Sequence, residues 1–160
     1  KNYTIIWRYD PIFISKKTDF DFHLKNFTFL CSIFKDKVKK VTINFIQEYS
    51  KVIKKLNKFL KDSDFEYISM NNTEKIDFAL QLKNISDNFG IKITTCDYLL
   101  NKDNLIERSH CVDKTFFQNA LNKSLDLKEI PTFKGCHCHK SIDIGFYNSC
   151  KNDCVYCYAM

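Results

Sequence analysis

The stretch VTINFIQ, residues 41–47, decides the fold because it forms a near-continuous apolar run that ends in a polar residue. Such a run predicts a buried strand. After residue 47 the spacing of the apolar residues changes, and they recur at the spacing of a helix with one buried face. Those residues are Val52, Ile53, Leu56, Phe59 and Leu60. An apolar strand followed by a one-sided helix is typical of a parallel sheet covered by helices.

The same alternation extends upstream. YTIIWRYDPIFI, residues 3–14, predicts another buried strand, and Pro11 is expected to end its ladder pairing because proline lacks an N–H. Thr18 and Asp21 have the spacing of a capping box, so a helix is predicted after them. Its apolar stripe comprises Phe20, Leu24, Phe27, Cys31 and Phe34. Cys31 is therefore predicted to be a core residue.

The alternation also extends downstream. A third helix is predicted to end at Gly90, which is placed as its C-terminal cap, and the strand IKITTC follows at residues 91–96. The stripe of this helix comprises Phe78, Leu82, Ile85 and Phe89. The pattern then weakens to a short helix at 115–125 and a last strand candidate, SIDIGFYN, at 141–148.

These elements predict an α/β fold with four or five strands. A complete eight-stranded α/β barrel needs about 250 residues, whereas this chain has 160. We therefore expect a partial TIM-like barrel or an open parallel sheet covered by helices. Residues 1–130 would form this unit, and residues 131–160 would form a cysteine-rich, loop-like segment packed on the same domain.

Composition limits the cellular setting and the partners. No apolar stretch is long enough for a membrane span, and the opening KNYTIIWRYD lacks the layout of a signal peptide, so we expect a cytoplasmic protein. The formal charge is +6, but the lysines are scattered, which favours a solvated surface and supports a nucleic-acid partner only weakly. Because the chain begins with Lys1, close to a strand-like run, we expect further sequence upstream.

Polar residues stand at the predicted carboxyl ends of the strands, where the ligand sites of parallel α/β folds lie. They are Arg8, Asp10, Asn44, Gln47 and Cys96. Arg8 and Asp10 are candidate catalytic residues, because an arginine there could bind a carboxylate or phosphate bidentately. The alternative is a plain surface ion pair. Asp143 is expected on the same side of its strand as Gly145, with no assigned role.

Three of the eight cysteines, Cys150, Cys154 and Cys157, crowd together as C-x3-C-x2-C. Without a secretion signal, cysteines at this density point to thiolate or metal chemistry more than to disulfides. Three thiolates on an iron-sulfur cubane would leave one iron open for a substrate or cofactor. Structural zinc completed by His137 or His139 is one alternative, and disulfides or free thiols are another.

The other cysteines suggest a second site. Cys136 and Cys138 flank His137, and Cys96 and Cys111 are expected near the same end of the sheet. Together they would complete an auxiliary iron-sulfur cluster or a tetrahedral zinc site. The alternative is a set of plain buried thiols. No ligand role is assigned to the remaining histidines, His23 and His110.

The terminal motif carries a resemblance. CKNDCVYCYA, residues 150–159, matches the C-x3-C-x-aromatic-C motif of the radical SAM superfamily, and it is similar to the branch that includes spore photoproduct lyase and proteins labelled DNA repair photolyases. WRYDPI, VTINFIQ, the Cys136 and Cys138 pair, and KSIDIGFYNSC resemble an uncharacterised bacterial family of unknown function with the same terminal loop. That resemblance covers essentially the whole chain, which looks like the carboxyl-terminal part of a member.

The resemblance implies a cofactor set and a chemistry. Cys150, Cys154 and Cys157 would hold a [4Fe-4S] cluster, and S-adenosylmethionine would bind its open iron, with Tyr156 near the adenine. A reductant would supply one electron, and cleavage would yield a deoxyadenosyl radical. The chain would then be a radical SAM enzyme, or the cluster-bearing part of one, with an unidentified substrate. The alternative function is a non-catalytic structural zinc or iron-sulfur module.

Overall fold

The structure is a computed structural model, and it describes residues 5–131, 136–142, 144–152 and 154–157. The strands are β1 (Trp7–Ile12), β2 (Lys40–Phe45), β3 (Lys92–Thr95) and β4 (Glu107–Arg108). The helices are α1 (Phe20–Phe34), α2 (Ser50–Leu60), α3 (Asn72–Asn88), α4 (Tyr98–Asn101) and α5 (Lys114–Leu121). In the described part of the chain, every helix is too short or too polar to cross a membrane.

The four strands form one open sheet in the order β1-β2-β3-β4, and every neighbouring pair is parallel. The predicted α/β class with a parallel sheet is therefore confirmed. Among the described residues β1 and β4 are the two edges, so the sheet does not close into a barrel. Arg8, Thr42, Thr94 and Glu107 lie side by side in one row across all four strands.

One face of the sheet packs against α1 and α3 and forms the main hydrophobic core. Side chains alternate between the faces of a strand, and the residues on this face are apolar. From the strands the core takes Trp7, Val41, Ile43, Phe45 and Ile93. From the helices it takes Phe27, Cys31, Phe78, Ala79 and Leu82. Cys31 has no exposed surface, as its place on the α1 stripe predicted.

The opposite face of the sheet is polar although much of it is buried. Thr42, Asn44 and Thr94 are each less than a tenth exposed. The hydroxyl of Thr42 pairs with that of Thr94 at 3.0 Å and with that of Ser109 at 2.9 Å. Buried polar groups of this kind need partners, and here the neighbouring strands supply them. This polar face carries the candidate site.

The helix ends follow their capping chemistry. The N-cap of α1 is Asp19, one residue beyond the predicted Thr18, because the Asp19 carboxylate accepts a hydrogen bond from the Phe22 N–H at 2.8 Å. At the end of α3, Gly90 has φ +67 and its N–H donates to the Asp87 carbonyl at 3.0 Å. The following N–H, of Ile91, donates to the Ser86 carbonyl at 3.0 Å, which completes a Schellman motif.

Two strand predictions are wrong. Pro11 does not end the pairing of β1, because the register shifts between Tyr9 and Ile12 and pairing then resumes from Ile12 to Phe45. A proline is tolerated here because β1 is an edge strand. The described residues of 141–148 contain no strand, and the side chains of Ile142 and Ile144 are 85% and 94% exposed. Asp143 and Gly135 lie outside the described residues.

Two further outcomes concern helices. The helix predicted at 115–125 is α5, and it ends at Leu121 because Asn122 adopts a left-handed conformation with φ 49. Phe59, predicted to lie on the buried stripe of α2, is 54% exposed, so this helix buries only its Val52 and Leu56 side. The division of the chain into residues 1–130 and 131–160 stays a prediction.

Candidate functional site

Asn44 joins three strands at the carboxyl end of the polar face. Its side-chain N–H donates to the Asp10 carboxylate at 3.0 Å, which ties β2 to β1. Its side-chain oxygen accepts from the backbone N–H of Cys96 at 2.9 Å and from the Thr95 hydroxyl at 3.3 Å, which ties β2 to β3. One amide side chain therefore fixes the positions of both Asp10 and Cys96.

Arg8 extends this network toward the cysteines. Its Nη2 pairs with the Asp10 carboxylate, and its Nη1 donates to the Sγ of Cys111 at 3.1 Å. Burial lowers the pKa of the guanidinium, but the hydrogen bond to Asp10 and the charges of Cys111 and Asp10 outweigh it, so the pKa is raised. Arg8 therefore forms an ion pair with Asp10, and the Sγ of Cys111 is its second partner. A catalytic role for the two residues stays a prediction.

Four thiols interact in succession on this face. The Cys96 side chain hydrogen-bonds with Cys111, the Cys111 side chain with Cys138, and the Cys138 side chain with Cys136. We call these four residues the thiol row. Cys96 and Cys136, at its two ends, are only 4% and 5% exposed. The structure thereby brings together the four cysteines singled out as a second set, while their role as metal ligands stays a prediction.

Backbone donors surround one sulfur of the thiol row. The N–H of Cys111 donates to the Sγ of Cys138 at 3.1 Å, and Val112 provides a further backbone hydrogen bond to the same thiol. At the start of the row, the Sγ of Cys96 lies 3.9 Å from the Ser109 carbonyl oxygen. The segment that follows β4 therefore wraps around the sulfurs with its main chain.

The pKa values of the thiol row diverge for local reasons. Donation from the Cys96 thiol, helped by the charge and hydrogen bond of Arg8, lowers the Cys111 pKa to about 5 against the opposing effect of burial. The pKa of Cys96 is raised, chiefly because its proton is held by Cys111 and also by burial. Burial raises the pKa of Cys138 against its backbone donors. Cys111 is therefore the sulfur that carries negative charge most readily.

No metal site is preformed in the part of the chain that the structure describes. Within the residues that the structure describes, no three His, Cys, Asp or Glu side chains already surround a point where an ion could sit. This holds for the thiol row and for the described cysteines of the terminal motif alike. All cysteines that the structure describes are free thiols.

Three histidines flank the thiol row. The ring of His110 lies 5.8 Å from that of His139 and 6.4 Å from that of His137, measured between centroids. The Nδ1 of His139 lies 3.2 Å from the Val112 carbonyl and 3.3 Å from the Lys114 N–H, while the Nδ1 of His137 faces the Glu129 carboxylate at 3.3 Å. His23 lies elsewhere, in the core, where it bonds with the Tyr9 hydroxyl at 2.7 Å and the Phe13 carbonyl at 3.0 Å.

A pocket of about 290 Å³ opens beside Cys111. It is lined by Ile6, Lys40, His110, Cys111, Asp113, Thr115, Phe116, Phe117 and Asn119. Most of these residues were missed by sequence reasoning. They come from an irregular segment and from the first turns of α5, where no periodic signal marks the side chains that face the sheet.

The terminal motif is anchored just beyond the carboxyl end of β2. The hydroxyl of Tyr156 accepts a hydrogen bond from the backbone N–H of Gln47 at 3.2 Å. Val155 and Tyr156 pack on a second hydrophobic cluster formed by Ile46, Val52 and Leu56. Cys150 and Cys154 are exposed, and Cys157 is half-buried, with its N–H donating to the Cys154 carbonyl at 3.0 Å. The place of Tyr156 beside an adenine stays a prediction.

Among the comparisons with known proteins, the match is to a family model. No curated protein and no solved structure matches the chain. A family model described as Domain of unknown function (DUF1848) matches residues 2–159, a range that includes β1, the thiol row and the terminal motif.

Proposed function

The chain belongs to the family described as Domain of unknown function (DUF1848), and from that premise we propose that it is an iron-sulfur protein of the radical SAM type. Cys150, Cys154 and Cys157 bind a [4Fe-4S] cluster, and S-adenosylmethionine binds at the iron they leave open. The substrate is unassigned. A nucleic acid is one candidate class, and the scattered lysines support it only weakly.

The anchoring of the terminal motif carries this proposal. Tyr156 and Val155 fasten the loop to the carboxyl end of β2 through one hydrogen bond to Gln47 and through apolar contacts. In parallel α/β folds this is the end of the sheet where cofactors bind. A cysteine loop fastened there, with two of its thiols exposed, supports the proposal because those thiols are accessible to a cluster close to the cofactor end of the sheet.

The donor set fits the cluster. Thiolate is the soft ligand that suits iron-sulfur clusters, and three thiolates leave one iron without a protein ligand. The cluster supplies one electron to S-adenosylmethionine when both are bound. The residues of the chain would bind and orient these groups: the three cysteines would hold the iron, and Tyr156 fastens the loop to the sheet.

A second pocket lies next to this anchor. It has a volume of about 610 Å³ and is lined by Glu48, Ser50, Ile53, Lys54, Asn57, Tyr67 and Ser69. Tyr67 belongs to the same apolar cluster as Tyr156. A hydrogen bond from Ser69, and another from Tyr67, lower the pKa of Glu48 against the effect of burial, so the pocket offers a carboxylate. That charge suits the cationic groups of S-adenosylmethionine.

Anaerobic reconstitution tests the proposal. Protein treated with iron and sulfide, and then reduced with dithionite, should contain about four irons and four sulfides per chain and release 5′-deoxyadenosine from S-adenosylmethionine. Cys154→Ala should lose both the cluster at this loop and the cleavage. Cys31→Ala is the matched control, because Cys31 is a core thiol outside both cysteine sets.

Three outcomes count against the proposal. Zinc at the terminal motif without iron or sulfide would make the chain a structural metal module. A cluster that never cleaves S-adenosylmethionine would leave iron binding alone. Equal cluster content in wild type and in Cys154→Ala would show that the terminal thiols are not the ligands.

A further inference from the structure

We propose that the thiol row, Cys96, Cys111, Cys136 and Cys138, is a second metal site that binds one zinc-type ion through four thiolates. This site is separate from the terminal motif, and it does not depend on the proposed radical SAM chemistry. Four thiolates around one divalent ion form the most common class of closed, structural zinc site.

Convergence from distant parts of the chain is the first argument. Cys96 follows β3, Cys111 follows β4, and Cys136 and Cys138 come from the segment after residue 131, yet their side chains interact in succession. Two of the four are almost fully buried. Cysteines that merely fill a core have no reason to collect on the polar face of a sheet, whereas metal ligands must gather at one point.

The surroundings of the sulfurs are the second argument. Four thiolates on one divalent cation leave a net charge of −2, which must be balanced by nearby donors. Here Arg8 donates to Cys111 at 3.1 Å, and the Cys111 N–H donates to Cys138 at 3.1 Å. Asp10 holds Arg8 in place, and Asn44 holds both Asp10 and the Cys96 backbone. Such outer partners orient metal ligands and tune the metal.

The closeness of the sulfurs favours one ion over a cubane. With Zn–S bonds of about 2.3 Å, the sulfurs of a tetrahedral site lie about 3.8 Å apart. Neighbours in the thiol row influence one another's pKa, so their sulfurs lie close together, and the Cys111 N–H lies 3.1 Å from the Sγ of Cys138. A cubane places iron and sulfide atoms between its ligands and needs wider separation. Among the described residues no three of these side chains surround one point yet, so binding of an ion requires side-chain rotations.

The test uses the full chain with the terminal cysteines removed. The variant Cys150→Ala/Cys154→Ala/Cys157→Ala, purified anaerobically with zinc, should retain one zinc per chain. Titration of its metal-free form with Co²⁺ should give the intense visible bands of a tetrahedral site and a sulfur-to-cobalt charge-transfer band. Because this variant lacks the terminal ligands, its result is independent of the outcome at the proposed radical SAM site.

Single substitutions identify the ligands. Cys138→Ser and Cys136→Ser, made in the same background, should each weaken Co²⁺ binding at least 100-fold, whereas Cys31→Ala should leave it unchanged. Folding of each variant is checked by circular dichroism and by the fluorescence of Trp7, the single tryptophan. Alkylation adds a readout that needs no substitution within the thiol row: in the terminal-cysteine variant, zinc should slow the alkylation of the accessible thiols Cys111 and Cys138 relative to the zinc-free protein.

Three results would overturn the proposal. The first is Co²⁺ binding without a charge-transfer band, which would exclude thiolate ligands. The second is alkylation of Cys111 and Cys138 at the same rate with and without zinc, which would leave the thiol row a set of ordinary thiols. The third is iron and sulfide in the terminal-cysteine variant, which would replace the single ion with an auxiliary cluster.

Discussion

The Nη1 atom of Arg8 lies 3.1 Å from the Sγ of Cys111, although 103 positions separate the two residues in the chain. An arginine on the edge strand of the sheet thus reaches a sulfur carried by the segment after β4. The contact links the polar face of the sheet to the thiol row, and it determines what a substitution of Arg8 should do.

Arg8→Gln is expected to weaken zinc binding by the thiol row about 10- to 100-fold, the usual effect of losing an outer partner of a metal ligand. The glutamine retains a donor but removes the charge that offsets the thiolates. Competition with a chromophoric chelator measures the affinity in the terminal-cysteine variant. Arg108→Gln is the matched control, because Arg108 is an exposed arginine on the other edge strand, β4. Equal effects of the two substitutions would contradict a specific role for Arg8.

Asn44→Ala is expected to lower the free energy of unfolding by about 1–3 kcal/mol, because it leaves the buried Cys96 N–H without its partner and removes one of the hydrogen bonds to the Asp10 carboxylate. Urea denaturation followed by Trp7 fluorescence measures the change. Asn57→Ala, at an exposed position of α2, should change stability by less than about 0.5 kcal/mol. A loss for Asn44→Ala no larger than that of the control would show that this network adds no stability.

Tyr156→Phe removes the acceptor for the Gln47 N–H and keeps the packed ring. A hydrogen bond of this kind contributes about 0.5–1.5 kcal/mol, so the Gln47 amide should exchange with deuterium roughly 2- to 10-fold faster, while amides of α1 and α3 stay unchanged. Hydrogen exchange with mass spectrometry provides the measurement. Tyr147→Phe is the control, since Tyr147 is 67% exposed. Unchanged exchange at Gln47 would mean that this hydrogen bond does not hold the loop.

The buried His23 predicts an acid-sensitive stability. Burial lowers its pKa, and the hydrogen bond to Phe13 and the charge of Asp19 only partly oppose this. Both ring nitrogens are used by the neutral form: Nε2–H donates to the Phe13 carbonyl, and Nδ1 accepts from the Tyr9 hydroxyl. The unfolded chain takes up a proton near pH 6.5, and the folded chain does so only at lower pH. Stability should therefore fall as the pH decreases below 6.5.

His23→Gln separates this effect from other titrations. A glutamine supplies one donor and one acceptor but does not ionise in this range. Urea denaturation at pH 7.5 and 5.5 should show a smaller loss of stability for the variant than for the wild type. The same loss in both proteins would assign the acid sensitivity to other groups.

The fold was predictable where the chain is periodic. β2, β3 and the stripes of α1 and α3 follow from apolar spacing, and Cys31 was correctly placed in the core. β4 was not predictable, because it has only two residues, both charged and exposed, and its contacts with β3 are backbone pairing and the ion pair between Lys92 and Glu107. Residues 141–148 show the opposite failure, since their alternation has no neighbouring strand to pair with among the described residues.

The candidate site was predictable in its residue types but not in its contacts. Cysteine spacing drew attention to both sets, and strand ends drew attention to Arg8, Asp10 and Asn44. The contact between Arg8 and Cys111 depends on how the chain after β4 turns back over the polar face. The pairing of Cys111 with Cys138 depends on the same turn. No local pattern encodes that path, because it is set by tertiary packing.

In the part of the chain that the structure describes, the main core and the smaller hydrophobic cluster share no residue, and Val155 and Tyr156 of the terminal motif pack on the smaller one. Detaching the motif therefore exposes few apolar side chains and should require far less free energy than melting the whole domain. Folded chains with a released end would form a minor population at equilibrium. The speed with which a cofactor loads or escapes would then be governed by that population, and it could be altered by substitutions in α2 that leave the main core intact.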